Sequence, residues 1–205
     1  MDAASWREMG AMGLLLCAVP EEYGGSGGTF AHDCIVFEEL AYAGVASFGK
    51  SVHNICAHYV EEYGTEAQKR RWLPRLASGE LVGAIAMSEP SAGSDLQGIR
   101  TRAVRTGDGY VLSGSKTFIT NGQVANLLMV VAKTDTSAGA KGISLLMVET
   151  DGLDGFRRGR TLDKIGMPGQ DTSELFFDHC RVPADTLLGG AEGRGRGLGR
   201  RGMTT

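Results

Sequence analysis

Ala86-Met87-Ser88-Glu89-Pro90-Ser91-Ala92-Gly93-Ser94-Asp95-Leu96-Gln97-Gly98 marks the point where the character of the chain changes. Upstream of it the apolar residues recur every three or four positions, and downstream they alternate in short β-rich runs. The stretch itself reads as a strand end running into a small, polar, glycine-bearing turn. Backbone amides in such a turn can converge on an anion or on the polar edge of a heterocycle, with the Ser88 and Ser94 hydroxyls as further donors. Surface turns of the same composition are common, so these residue types alone favour a plain surface turn, and it is their order that points elsewhere.

Working back toward the N-terminus, Trp6, Met9, Met12 and Leu16 sit at helical spacing, which predicts a helix over 2–17 with one buried face. Pro20-Glu21-Glu22-Tyr23-Gly24-Gly25-Ser26-Gly27-Gly28 breaks it. A second helix is expected from about Ala31 to Ala46 and a third from Ser51 to the stop at Gly64. Thr65 and Gln68 then form a T-x-x-Q capping box that opens a fourth. His53 and His58 are five apart, not the i, i+4 of a shared metal site, and read as packing or surface residues.

Working forward, β-rich runs are predicted at Val82–Met87, Ile99–Arg105, Tyr110–Ser113, Lys116–Thr120, Leu127–Lys133, Ile143–Glu149 and Glu174–Asp178. Gly107-Asp108-Gly109 and Ser113-Gly114-Ser115 read as turns between them. With no helix-length pattern between the strands, the expected class is α+β: an N-terminal helical domain (1–81) followed by an antiparallel β-barrel domain (82–190). Residues 191–205 form a Gly/Arg tail without apolar periodicity, for which the composition predicts disorder.

The 205 residues hold 42% hydrophobic and 22% charged positions, as in ordinary globular proteins, and are enough for a substantial core. The net charge of -3 conceals an asymmetry, because the four arginines of 193–205 leave 17 basic against 24 acidic residues in the body. An acidic body argues against nucleic acid as a partner. No apolar run is long enough to span a membrane, so no membrane partner is expected. Cys17, Cys34, Cys56 and Cys180 form no C-x-x-C pair, which suggests neither a metal site nor a disulfide framework and makes a reducing cytoplasmic location the expectation.

The order of residues in 86–98 resembles the signature of the acyl-CoA dehydrogenase flavoprotein family, [GAC]-[LIVM]-[ST]-E-x-x-[GSAN]-G-[ST]-D-x-x-[GSA], at every specified position. The likeness continues in Pro20-Glu21-Glu22-Tyr23-Gly24-Gly25 and in Gly64-Thr65-Glu66-Ala67-Gln68-Lys69 with Trp72-Leu73-Pro74. It continues in Phe118-Ile119-Thr120-Asn121-Gly122, in Gly166-Met167 with Asp171-Thr172-Ser173-Glu174-Leu175, and in Arg181-Val182-Pro183. It covers about residues 10–190, and Asp95-Leu96-Gln97-Gly98-Ile99 most resembles the long-chain acyl-CoA dehydrogenase branch.

The resemblance implies a flavin-dependent α,β-desaturation of acyl-CoA thioesters in fatty-acid or branched-chain catabolism, with FAD as cofactor. The implied partners are the acyl-CoA substrate and an electron-transfer flavoprotein, with homo-oligomers in full-length relatives. The implied cofactor-binding residues are Ile85, Ala86, Met87, Ser88, Gly93, Ser94, Phe118, Ile119 and Thr120. Ser88 and nearby amides would bond the pyrimidine edge, and Ser94 would lie near the FAD phosphates or the acyl-CoA. Phe118 would supply an aromatic face where tryptophan is commoner, and Thr120 a hydroxyl toward flavin N5.

The family's proton-abstracting glutamate belongs to a C-terminal helical domain that has no counterpart in this sequence, and Glu89, Glu149 and Glu174 do not match its motif. The expectation is therefore a fragment that lacks the catalytic base, inactive by itself, with the Gly/Arg tail suggesting a frameshifted or truncated product. The alternative is a non-catalytic remnant or binding module that keeps the fold without turnover.

Overall fold

Asp2 starts the first helix by accepting the Ser5 amide on its carboxylate at 2.9 Å, and the computed structural model describes the chain from there over residues 2–45 and 48–193. Helix α1 (Ala3–Ala11) ends well before residue 17, because Gly13 takes φ +71° and turns the chain. Leu15, Leu16 and Val19 still reach the core, now as irregular chain. Helices α2 (Phe30–Tyr42), α3 (Lys50–Tyr63) and α4 (Glu66–Ala77) lie where the sequence predicts them; α3 and α4 bury an apolar face, whereas α2 buries Asp33 and leaves Phe30, Ile35 and Tyr42 exposed. The capping box before α4 forms as its residues require, with Gln68 N–H donating to Thr65 Oγ1 and Thr65 N–H to Gln68 Oε1. Among the described residues no helix is long and apolar enough to cross a membrane.

The β-region holds β1 (Gly83–Ala86), β2 (Arg102–Thr106), β3 (Gly109–Thr120), β4 (Leu127–Lys133), β5 (Ile143–Glu149), β6 (Phe156–Thr161) and β7 (Thr172–Pro183). They make one sheet in the order β1-β4-β2-β3-β7-β6, with β5 on the other edge of β4. The expected antiparallel barrel is corrected in two respects. The sheet is mixed, because β1 and the start of β2 pair with β4 in parallel. Parallel pairing is open to β1 because a long crossover carrying the β2-β3 hairpin, and no tight turn, separates it from β4. The barrel is also open, since β5 pairs with β4 and β6 with β7 while the two do not pair with each other.

Two local expectations also change. Ser113-Gly114-Ser115 is no turn but the middle of the twelve-residue strand β3. A Cβ on Gly114 would lie 2.4 Å from Thr101 Oγ1, so the glycine serves close approach between neighbouring chains. Strand β6 escapes the apolar pattern because it is an edge strand rich in arginine, a common way to protect an edge. Arg157 lies over the Phe176 ring at 4.1 Å, and Arg158 donates to the Ala125 carbonyl at 2.7 Å.

One continuous apolar core joins helices and sheet, from Trp6 and Trp72 to Leu128, Leu146 and Leu188. At its border α4 is tied to the sheet through Glu149, the last residue of β5. Glu149 accepts from Trp72 Nε1 and Arg71 Nε at 3.0 Å each and from Arg75 at 3.0 Å. Gln68 of the capping box also donates to the carbonyls of Asp185 and Leu187. The first residues of the expected disordered tail, 191–193, are instead held to the sheet, with Tyr110 donating to Glu192 at 2.8 Å and Gly193 N–H to Ser144 Oγ at 2.9 Å. The remainder of the Gly/Arg stretch, 194–205, lies outside the described residues.

Burial raises the Glu149 pKa, but the bonds from Trp72 and Arg75 and the charges of Arg75 and Arg71 outweigh it and hold the carboxyl below its usual range. A carboxylate depressed in the folded state contributes stability above its unfolded pKa, near about 4.3, and loses it as pH falls through the lower folded value. Glu149→Gln should therefore cost about 1–2 kcal/mol at pH 7, and the difference from wild type should shrink toward pH 3. Urea unfolding across that pH range checks it; a pH-independent difference would refute the assignment.

Candidate functional site

The signature stretch leaves β1 and is held against β3 at one point by the backbone and at another by a buried ion pair. Thr117 N–H donates to the Ser88 carbonyl at 2.9 Å, which lays residues 87–88 alongside the end of β3. Below that contact Lys116, 1% exposed, places all three ammonium donors: on the carbonyls of Met87 (3.0 Å) and Val131 (2.7 Å) and on Glu89 Oε1 (2.9 Å). Glu89 in turn accepts the Arg100 amide on Oε2 at 2.6 Å and the Thr101 amide on Oε1 at 3.1 Å. Burial works to raise the Glu89 pKa, and its bonds to Thr101, Arg100 and Lys116 overcome this and lower it. Burial lowers the Lys116 pKa against the pull of Glu89. A doubly buried pair survives when its remaining lone pairs and protons are also bonded, as they are here.

Above the ion pair the chain makes a bulge. Lys116 faces Leu175 and Ile119 faces Ser173, so β3 carries one more residue than β7 between those pairs. Phe118 sits in this bulge at φ +59°, left-handed backbone that is unusual for an aromatic residue. Its ring is 69% exposed. The strain of such a conformation, of order 1 kcal/mol, is compatible with a side chain whose place is outside the core.

The residues singled out from the sequence fall into three groups. Met87, Ser88 and Thr120 are half-buried, and with exposed Phe118 they lie on the two segments that the Ser88–Thr117 bond brings together. Ile85, half-buried, precedes them on β1. Ala86 and Ile119, at 0% and 2% exposure, turn their side chains into the core, so any ligand contact from them runs through the backbone. Gly93 and Ser94 are exposed on the following turn, where a Cβ on Gly93 would meet nothing within 4 Å. Asp95 closes that turn by accepting the Gln97 amide at 3.0 Å.

Four residues that organise the site did not stand out as functional in the sequence. Lys116 and Glu89 are two; the signal for Lys116 was a charged residue at an inward position of a β-run. Asn121, 3% exposed at φ +63°, donates to the carbonyls of Gly49 (2.9 Å) and Gly83 (3.1 Å). His53, fully buried, accepts the Gly83 amide on Nδ1 at 3.1 Å, which leaves Nε2–H to donate to the Leu76 carbonyl at 3.2 Å. Burial pushes its pKa down to about 3, so the ring is neutral. The turn beyond Thr120 is fastened by Asp171, which accepts the Gln123 amide at 3.2 Å. Burial of that carboxyl raises its pKa despite bonds from the amides around Gln123.

Residues 1–80 match the acyl-CoA dehydrogenase N-terminal domain and residues 84–180 the acyl-CoA dehydrogenase middle domain. The chain belongs to the acyl-CoA dehydrogenase family. The mitochondrial long-chain specific acyl-CoA dehydrogenase of Mus musculus is 47% identical over 187 residues, 90% of this chain and 43% of its own length. The mitochondrial isovaleryl-CoA dehydrogenase of Solanum tuberosum is 46% identical over 190 residues, 92% of this chain and 46% of its own. The crystal structure of an acyl-CoA dehydrogenase from Geobacillus kaustophilus superposes with a TM-score of 0.89 at 49% identity, covering 94% of this chain and 51% of that one. A glutaryl-CoA dehydrogenase from Mycobacterium smegmatis, solved in complex with FADH2, superposes at 0.82 with 35% identity, covering 95% and 49%. The chain thus spans about half the length of the family members it matches. Long-chain and isovaleryl relatives resemble it equally, so the likeness establishes the family and does not single out a branch.

The ion pair under the signature turn generates a direct test. Removing one partner of a buried pair strands the other charge, so Glu89→Gln and Lys116→Met should each cost about 3–5 kcal/mol. The double variant should recover part of that loss, because no unpaired charge remains. A double-mutant cycle in urea decides it; strictly additive losses would show that the two residues act separately.

Proposed function

We propose that this chain supplies the flavin-facing wall of an FAD-dependent acyl-CoA dehydrogenase that desaturates acyl-CoA thioesters between the α and β carbons. The observation that carries this reading is Phe118. An exposed aromatic ring on a bulge, on the same strand end as half-buried Thr120 and on the segment bonded to that of half-buried Ser88, offers a flat apolar contact with hydroxyl donors close in the fold. That donor set suits an isoalloxazine ring, and a family neighbour solved with FADH2 supports the choice of cofactor.

FAD supplies the hydride acceptor when bound. Phe118 covers one part of the ring, with Thr120 Oγ1 donating toward N5. The backbone of Ile85, Ala86, Met87 and Ile119, together with the Ser88 hydroxyl, faces the pyrimidine edge. Gly93 and Ser94 lie outward, toward the FAD phosphates or the acyl-CoA. Donors fixed at the two ends of a ring that gains charge are worth more in a water-poor site than in water.

The α proton must go to a carboxylate, and Glu89, Glu149 and Glu174 are engaged elsewhere. Both oxygens of Glu89 are bonded inside the sheet, Glu149 is held by Trp72, Arg71 and Arg75, and Glu174 faces Arg160 at 3.5 Å. We assign the base to the C-terminal helical domain of full-length relatives. An electron-transfer flavoprotein as electron acceptor and a homo-oligomeric assembly belong to the same reading. Cysteine usage favours a cytoplasmic location, while the two curated relatives are named as mitochondrial.

FAD titration followed by flavin fluorescence tests the wall. The chain should bind FAD weakly, and Phe118→Ala should weaken it by roughly three- to tenfold, the worth of one aromatic contact. An affinity unchanged in both Phe118→Ala and Thr120→Val would overturn the assignment. Anaerobic addition of acyl-CoAs should leave the flavin of this chain oxidised; substrate-dependent bleaching would place a base among its own residues and would equally overturn the non-catalytic alternative.

A further inference from the structure

Helix α3 touches the roots of both flavin-facing segments. From one side, His53 Nδ1 accepts the amide of Gly83, the first residue of β1 and three residues before the signature stretch begins. From the other, Asn121, directly after Thr120, donates its Nδ2 to the Gly83 carbonyl and to the carbonyl of Gly49, the residue that precedes α3. Gly83 is thereby gripped on its N–H by the helix and on its C=O by the end of β3. The fit is close. A Cβ on Gly49 would lie 1.8 Å from Asn121 Oδ1, and a Cβ on Gly83 would lie 3.0 Å from the Cys56 Cβ of α3. Trp6 packs on the His53 ring at 5.0 Å between centroids, and the Leu76 carbonyl of α4 fixes its second nitrogen.

We propose that His53, Gly83 and Asn121 form one positioning unit, through which helix α3 sets the separation of the Ser88 segment from the Phe118–Thr120 segment and hence the fit of the flavin between their donors. The proposal rests on the flavin reading above and adds residues that touch no flavin. Its physical basis is that the bonds joining the two segments near the site all lie beyond one end of the short strand β1, about which that strand could still turn. Near the site the two segments are joined by Thr117 N–H to the Ser88 carbonyl and by Lys116 to Met87 and Glu89, all past the end of β1, which is four residues long. A second anchor at the far end of β1 converts one pivot into a fixed registration.

Two substitutions at one position separate positioning from core stability. In His53→Asn the side-chain Oδ1 stands where Nδ1 stood and can still accept the Gly83 amide. In His53→Gln the amide nitrogen stands near the place of Nε2, so the Leu76 bond is kept and the Gly83 bond is lost. Hydrogen exchange of the full chain, read by mass spectrometry, should show H53Q exchanging about tenfold faster over both 83–90 and 117–122, the equilibrium effect of one lost hydrogen bond. Residues 127–133 and 143–149 should be unmoved, and H53N should stay near wild type. FAD affinity should follow the same order, weakened about tenfold in H53Q and largely kept in H53N. Should H53Q fail to fold, Asn121→Gly attacks the unit from its other end while allowing the positive φ, and it should loosen the same two segments. Equal behaviour of H53N and H53Q, or loosening confined to α3 and α4, overturns the positioning unit. A wild-type chain that binds no FAD overturns the flavin reading whatever the exchange pattern, so the two failures are distinguishable.

Discussion

Three backbone carbonyls or carboxylates must receive the ammonium of Lys116, and that demand organises the β-region. The ammonium is cut off from water, and it is stable only while Met87, Val131 and Glu89 are all in place. Two of those partners, Met87 and Glu89, come from the signature segment and the third from strand β4. The lysine, itself on β3, therefore specifies where the signature segment and strands β3 and β4 meet. Apolar packing could bury the same volume with comparable stability, but it would tolerate sliding that directional bonds do not. Glu89 extends the constraint by accepting two successive amides, of Arg100 and Thr101, which anchors the entry into β2.

A second ion pair of the same kind, Lys50 with Asp33, lies wholly buried among the helices, with Asn54 donating to the same carboxylate oxygen at 2.8 Å. Here the accounting is less complete. Asp33 Oδ2 and Asn54 Oδ1 are buried and have no hydrogen-bond partner among the described residues, whereas the three donors of Lys116 are all used. The helical pair thus carries a larger desolvation cost for fewer bonds. Lys50 gains some compensation from the Phe37 ring at 4.3 Å.

Much of this was legible in the sequence, and the misses share a cause. The four helices, the change of period after Gly79 and most of the strands followed from local patterns, since each depends on neighbours three, four or two residues away. What local pattern cannot carry is pairing at a distance. Parallel pairing of β1 with β4, the persistence of β3 through Gly114 and the existence of arginine-rich β6 are decided by partners elsewhere in the chain. The site divides in the same way. Ser88, Phe118 and Thr120 could be picked out because they stand in recognisable strings. His53 and Lys116 looked ordinary, and Asn121, though in the same string as Thr120, carried no role of its own, because their importance lies in which carbonyl or amide the fold brings to them.

The bonds from Gln68 to the chain near Asp185 and Leu187 bear on how such a protein comes into being at the ribosome. The side chain that caps α4 completes its hydrogen bonding with carbonyls 117 and 119 residues further on and with the Gly189 amide. While the nascent chain is shorter than that, α4 can form but cannot be locked, and the sheet side of Trp72 stays open. Closing contacts over such separations is slow, because the entropy of a long loop is lost before the contacts can offset it. During synthesis the helices must wait with part of their apolar face uncovered, the interval in which nascent chains are most exposed to aggregation and to chaperones.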